Sequence, residues 1–162
     1  GHGALPVESA ADLRLCEMIR ADHGFAAVED VLSGRGLERV YRWLAQEAGQ
    51  PDSRTAHAIL AEADVHPDSL SAQATGVFAR YLGRVSGDLA LAHLPFGGIY
   101  LVGGLAVALA PKLDGLGFTE ALRSKGRFSK LVSRIAVHAV EDDYSALRGA
   151  ADHMDALLRR EA

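Results

Sequence analysis

Two glycine pairs bracket an aliphatic run in Phe96-Gly97-Gly98-Ile99-Tyr100-Leu101-Val102-Gly103-Gly104-Leu105, the stretch of this sequence best suited to hold a ligand. The residues between the pairs are too few for a helix and read as a buried strand, whereas Leu105-Ala106-Val107-Ala108-Leu109-Ala110 beyond them reads as a helix. Gly103 and Gly104 therefore fall where strand becomes helix. Missing side chains at such a junction let a ligand approach the backbone, and the free N–H groups of the first helical turn attract polar or anionic groups. That is the geometry of a nucleotide site. A glycine pair after a strand also serves turns that need positive φ and nothing more, so the local pattern leaves both uses open.

The elements that must position this turn follow from periodicity and punctuation. Ser9 with Asp12 starts a first helix that carries Leu13, Cys16 and Ile19 and stops at Gly24. A short segment, Val28 to Leu32, leads through Ser33-Gly34-Arg35-Gly36 into a second helix bearing Leu37, Val40, Tyr41, Leu44 and Ala48 and closed by Gly49. Serine before glycine at that point reads first as a helix cap. Pro51-Asp52-Ser53 restarts the chain as a shorter helix carrying Ala56, Ile59, Leu60 and Ala63, which His66-Pro67-Asp68 ends. A long helix from Leu70 to His93 is expected to bury Val77, Phe78, Tyr81, Leu82, Val85, Leu89 and Ala92, and Gly76, Gly83 and Gly87 on or near one face suggest close packing against a sheet or another helix. The strand Ile99 to Val102 follows, then a helix to about Asp114, helical turns from Thr119 to Val132, a strand Ile135 to Val140 and a last helix from Ala146 to Arg159. The pattern is α/β, rich in helix, with too few strands to fill a sheet unaided.

With 162 residues, of which 49% are apolar, the chain can bury one substantial core. Its 17 basic and 21 acidic side chains give a net charge of −4, and no cluster of Lys and Arg is interleaved with aromatics, which argues against a nucleic-acid partner. Cys16 is the only cysteine and reads as core packing in a protein of a reducing compartment. Leu89 to Pro111 has no Asp, Glu, Lys or Arg, yet Pro95 and the glycine pairs would break a spanning helix, so no membrane segment is expected. No basic segment followed by an apolar core opens the sequence, and cytoplasm is the expected location. His23, His57, His66, His93, His138 and His153 have no metal-ligand spacing with Cys or carboxylates.

In order, Val31-Leu32-Ser33-Gly34-Arg35-Gly36-Leu37, Gly83-Arg84-Val85-Ser86-Gly87-Asp88-Leu89-Ala90-Leu91, Phe96 to Gly104, Lys125-Gly126-Arg127-Phe128 and Gly149-Ala150-Ala151 resemble the C-terminal half of bacterial glucokinases, of the hexokinase/actin-like superfamily. The resemblance implies that residues 1–162 are the helix-rich C-terminal part of a ribonuclease-H-like (actin-like ATPase) large domain. The small domain and the N-terminal phosphate-loop region would then be absent. No Asp-x-Gly-Gly-Thr loop and no P-loop occurs in the sequence, and the resemblance assigns the phosphate loops and the catalytic aspartate to upstream segments.

Site residues are carried over position by position. His2, followed by Gly3-Ala4-Leu5-Pro6, stands where the family has the histidine of a Glu-x-x-His sugar-binding motif. Glu29 matches a second glutamate that accepts hydrogen bonds from sugar hydroxyls, a task that suits an ionised acceptor. By residue type alone, Glu29-Asp30 would read as a solvated acidic pair on a loop. Gly103, Gly104 and Leu105 are placed against the adenosine of ATP. Lys125-Gly126-Arg127-Phe128 is a family signature that reads as a packing turn, without a chemical role. The segment Asp143-Tyr144-Ser145-Ala146-Leu147-Arg148-Gly149 departs from the family's apolar Gly-Leu-Leu-Gly turn, with Arg148 unexpected there.

For the complete polypeptide the resemblance implies ATP-dependent phosphorylation of D-glucose to glucose 6-phosphate, with Mg²⁺ held mainly by residues outside this segment, and a homodimer. The isolated segment is expected to be inactive. The alternative is a non-catalytic actin-like lobe that docks a partner or dimerises through its helices. A sugar-binding repressor is disfavoured, because a single cysteine cannot supply that branch's zinc motif.

Overall fold

The computed structural model describes residues 2–142 and 144–161. Asp143, within the segment that departs from the family pattern, lies outside the described residues, as does Gly1. Helix α1 (Ala10–His23) is capped by Ser9, whose side chain accepts the Asp12 N–H, and ends at Gly24, whose N–H bonds the Arg20 carbonyl. Helix α2 (Gly34–Glu47) is capped by Ser33, the structural role its sequence suggests. Helix α3 (Ala56–Val65) starts later than Pro51-Asp52-Ser53 predicts, with Thr55 as its cap. The reason is that Asp52 is engaged elsewhere: its carboxylate accepts the Tyr41 hydroxyl at 2.7 Å and Arg54 Nε at 3.0 Å. Burial, together with that hydrogen bond, pushes the Tyr41 hydroxyl up to about 12, which keeps it a donor. Glu38 takes over part of the helix start by accepting the Ala56 N–H at 2.9 Å.

Helix α4 (Leu70–His93) has the ends read from the sequence, with Ser69 as its cap, but a different buried face. Leu89 is exposed, and Ala92 also faces solvent. The buried positions are instead mostly small: Ser71, Ala74, Thr75, Gly76, Ala79, Gly83, Ser86, Gly87 and Ala90, with Phe78 and Tyr81 among them. Small residues win because α6 (Phe118–Arg123) packs against α4 at backbone distance. A Cβ at Gly83 would lie 2.3 Å from the Phe118 carbonyl oxygen, and one at Gly87 would lie 2.4 Å from that of Leu122. The close packing suggested by the glycines is thus present, between two helices. Lys125 crosses Gly87 with its alkyl stem and reaches Asp88 with Nζ at 2.7 Å.

Strand β1 (Ile99–Val102) runs parallel to β2 (Val137–Val140), with Ile99 opposite Val137 and Val102 opposite Val140. The sequence predicts a buried strand, but only Leu101 is buried, while Tyr100 and Val102 are 60% and 56% exposed. Parallel sheets are ordinarily covered on both faces. Here the described sheet has two strands, and Tyr100 stacks on His138 across its open face. Ile135, expected in β2, instead donates its N–H to Val132 and closes the turn after α7 (Ser129–Val132). After β1, α5 (Gly104–Leu109) is shorter than expected and passes into a 3₁₀ turn, Ala110–Lys112. Pro111 has no N–H with which to continue the α-helical ladder. The last helix, α8 (Ser145–Glu161), exposes Leu147, Met154, Leu157 and Leu158. No helix among the described residues is long and apolar enough to cross a membrane.

The core joins Leu15, Cys16 and Ile19 of α1, Leu37, Val40 and Trp43 of α2, Ile59 of α3 and Phe78 and Tyr81 of α4 to Phe118 and Leu122 of α6. Cys16 is fully buried there, as expected of a packing residue. If α4 and α6 meet through their backbones, Gly83→Ala will lower unfolding stability by about 2–3 kcal/mol, an overpacking cost. Gly76→Ala, which meets only the far end of the Arg80 side chain, will be neutral or stabilising by up to about 1 kcal/mol through helix propensity. Urea unfolding of both variants makes the comparison.

Candidate functional site

The segment before α1 is tied to the segment after it. Leu5 N–H donates to the Ala26 carbonyl, and Val28 N–H donates to that of Gly3, both at 2.9 Å, so Ala4 and Ala27 form an antiparallel bridge. Four residues of backbone are thereby laid beside the chain that enters a one-turn 3₁₀ helix, Val28–Asp30. The consequence is that His2 and Glu29, 27 positions apart in the sequence, face each other with Nε2 and Oε2 separated by 3.7 Å. That spacing is too long for a direct hydrogen bond. Both side chains are open to solvent, 90% and 53% exposed. An imidazole and a carboxylate so placed can each bond a hydroxyl that enters between or beside them.

The turn that carries Glu29 is held at several points. The Ser33 hydroxyl donates to the Glu29 carbonyl at 2.9 Å and accepts the Gly36 N–H at 3.0 Å, so one side chain caps α2 and anchors the turn. Asp30 Oδ2 accepts the Ala27 N–H at 2.9 Å. The hollow beside the pair, about 420 Å³, is also lined by His23, Phe25, Ser33 and Arg35. Phe25, 51% exposed, and Arg35 were not singled out by sequence. An exposed aromatic directly after the terminal glycine of α1 was the available signal for the first; the second stands in a motif read as a cap.

Gly103, Gly104 and Leu105 lie on a different part of the fold, at the β1–α5 turn. No hydrogen bond or ion pair among the described residues links them to His2 or Glu29. Gly103 has φ 108° and ψ 151°, a conformation that L side chains rarely adopt, and its carbonyl accepts the Val107 N–H at 3.0 Å. Gly104 does not share the positive φ, and a Cβ on either glycine would meet nothing within 4 Å. Leu105 is half-buried and packs against the core, which leaves its N–H as the group that could face a ligand. The two glycines thus have separate needs: the turn requires Gly103, while Gly104 leaves open space. Among the described residues no group of three His, Cys, Asp or Glu side chains is arranged to hold a metal ion.

Elsewhere, Arg148, the residue unexpected from the family pattern, donates to Asp142 Oδ2 at 2.9 Å, and Asp142 Oδ1 also accepts the Tyr144 N–H. Lys125-Gly126-Arg127-Phe128 forms a 3₁₀ turn with Lys125 bound to Asp88.

A helix-rich α/β unit with a small parallel sheet, a His–Glu pair drawn from the two sides of α1 and a glycine turn after its first strand is the class of structure these observations define. The chain belongs to the glucokinase family, whose model matches residues 1–157. It is 35% identical to the glucokinase of Aromatoleum aromaticum over 162 residues, covering 99% of this chain and 49% of that protein. It is 35% identical to the Saccharophagus degradans glucokinase over 159 residues, covering 96% and 49%. Among solved structures, a glucokinase from an Antarctic psychrotroph superposes with a TM-score of 0.79 at 27% identity, covering 88% of this chain and 45% of that one. The Balamuthia mandrillaris glucokinase, solved in complex with glucose, shares the fold at a TM-score of 0.71 and 24% identity, covering 85% and 41%. The chain spans about half the length of the curated relatives it matches.

The separate needs of the two glycines give a direct expectation for stability. Gly103→Ala will cost about 1–2 kcal/mol through backbone strain, and Gly104→Ala will change stability by less than about 0.5 kcal/mol. Thermal unfolding of the two variants measures the difference.

Proposed function

We propose that the polypeptide carrying this chain is an ATP-dependent kinase that converts D-glucose to glucose 6-phosphate in the cytoplasm, and that this chain supplies part of the sugar site and the turn that receives the adenosine of ATP. The chain is read as part of a ribonuclease-H-like large domain. The single observation that carries the sugar reading is the approach of His2 to Glu29 within 3.7 Å at the edge of an open hollow. Membership of the glucokinase family supports it.

Phosphoryl transfer to a hydroxyl depends mainly on holding the acceptor and the phosphate in line, with charge stabilisation around the transferring group. In this reading the Glu29 carboxylate accepts from sugar hydroxyls, and His2 bonds a neighbouring one, fixing the orientation of the ring. Each works better with the other close by, because two contacts on adjacent hydroxyls fix an axis of the ring where one fixes only a point. The open space over Gly104 suits the close approach of the adenosine, with the Gly103 turn setting the direction of the backbone behind it. Mg²⁺ would neutralise developing charge on the phosphates. No residue described here is assigned to it, nor is the catalytic carboxylate, which the reading leaves to the remainder of the polypeptide.

The competing reading, a non-catalytic lobe that binds a partner or a second copy, draws on the open sheet face of Tyr100 and Val102 and on the exposed leucines of α8. Kinetics of two variants of the complete polypeptide separate them. Glu29→Gln will raise the glucose KM by about tenfold or more, as a charge-assisted acceptor becomes a neutral one, with the ATP KM within about twofold. Gly104→Val, whose Cβ would meet no protein atom within 4 Å, will do the reverse. Unchanged constants in Glu29→Gln would remove Glu29 from the site, and absence of glucose phosphorylation by the unmodified polypeptide would favour the binding lobe.

A further inference from the structure

Glu29 makes no side-chain hydrogen bond among the described residues, so its carboxylate is only as well placed as the turn beneath it. That turn is gripped from α2 by Arg39. Arg39 Nη1 donates to the Asp30 carbonyl at 2.6 Å and stands 3.3 Å from Asp30 Oδ1, while Nη2 is 3.1 Å from His23 Nε2. A guanidinium has donors only. His23 Nε2 must therefore accept, which places the ring hydrogen on Nδ1, the nitrogen that faces Asp30 Oδ1 at 3.9 Å. One planar group thus joins the last turn of α1, the Glu29 turn and the second turn of α2. The Arg39 and Asp30 side chains are 14% and 17% exposed, which shields their ion pair far more than the rim pairs of the surface.

We propose that Arg39 is a positioning residue for sugar recognition, acting on Glu29 through Asp30. The inference rests on the reading of Glu29 as a sugar ligand. Glu29 and Asp30 are consecutive, and their carbonyls are held by Ser33 and Arg39 respectively, so the two successive peptide planes that follow Glu29 and Asp30 are each fixed from α2 or its cap. Asp30 adds the third restraint by closing the turn onto the Ala27 N–H, the residue bridged to Ala4 beside His2. Loss of Arg39 would free the Asp30 carbonyl and leave the Asp30 carboxylate without its main countercharge, loosening Glu29 relative to His2. Arg39 Nε is buried and has no partner among the described residues. The guanidinium is thus placed to serve the turn with its two terminal nitrogens at the expense of its own saturation.

A double-mutant cycle in the complete polypeptide tests this, with steady-state KM for glucose and for ATP as the readouts. Arg39→Ala is expected to raise the glucose KM about tenfold with the ATP KM within about twofold, and Arg39→Lys, whose ammonium can still reach the Asp30 oxygens, to recover to within about threefold of the unmodified protein. In a Glu29→Gln background the further effect of Arg39→Ala is expected to fall below about twofold, because the group it positions is already disabled. A full tenfold effect in that background overturns the proposal while leaving Glu29 in the site, since Arg39 would then act independently of it. A parallel rise in both KM values overturns it in favour of a general structural role. If Glu29→Gln alone leaves the glucose KM unchanged, the sugar-site reading fails and the positioning role falls with it. Should Arg39→Ala fail to fold by thermal unfolding, Asp30→Asn, which removes the countercharge that Arg39 pairs with, carries the same cycle.

Discussion

The small-residue face of α4 is the constraint on which the rest of this structure depends. Gly83 and Gly87 bring the backbone of α6 within van der Waals reach, and α2 and α3 pack along the same helix. The distance between α4 and α6 is therefore set by main chain, which cannot adapt as a side chain does. Helix α1 is fastened to α4 by polar contacts: the Tyr81 hydroxyl donates to Asp12 Oδ1 at 3.0 Å, and Arg84 Nη1 donates to Oδ2 at 2.9 Å. Burial alone would raise the Asp12 carboxyl, yet hydrogen bonding with Ser9, the Glu8 N–H and Tyr81, with the charge of Arg84, holds it below the usual carboxylate range. A buried carboxylate that remains ionised needs such a set of partners, and removing any of them leaves a charge poorly compensated.

The candidate sugar site joins the segments on either side of α1. The chain before Ala10 and the chain after His23 leave opposite ends of α1, and the Ala4–Ala27 bridge brings them together. His2 is delivered to Glu29 by two backbone hydrogen bonds. Precision at the site is then a matter of the turn, where Ser33 and Arg39 take the two carbonyls. The exposed pair therefore sits on a braced support: the groups that would touch a ligand are free of strong partners, and the turn behind them is held by hydrogen bonds and an ion pair. The glycine turn after β1 has a simpler basis, since Gly103 supplies the positive φ and Gly104 the open space.

Local signals in the sequence were legible where one residue decides one event. Ser9 and Ser33 start helices, Gly24 ends one, and the ends of α4 are those that the periodicity gives. The misreadings arise where tertiary context overrides the local signal. Asp52 has the right type for a helix start but is taken by Tyr41. Leu89 has the right period for the core but the wrong side, because apolar periodicity does not reveal that α4 buries its glycines. Tyr100 and Val102 look like the interior of a sheet whose described part has only two strands. At the site, Glu29 was visible only through family resemblance, because a carboxylate on a loop carries no signal of its own. The Asp30–Arg39–His23 set could not be read at all. Its members belong to three elements, and ordinary surface residues show no pattern until the fold brings them together.

A crystal structure of the complete polypeptide with bound D-glucose tests the central claim most directly. Sugar hydroxyls are expected within hydrogen-bond distance, about 2.6–3.2 Å, of both a Glu29 carboxylate oxygen and a His2 ring nitrogen, with the Arg39–Asp30 contact unchanged beneath them. Glucose bound elsewhere, with Glu29 and His2 left in solvent, would contradict it.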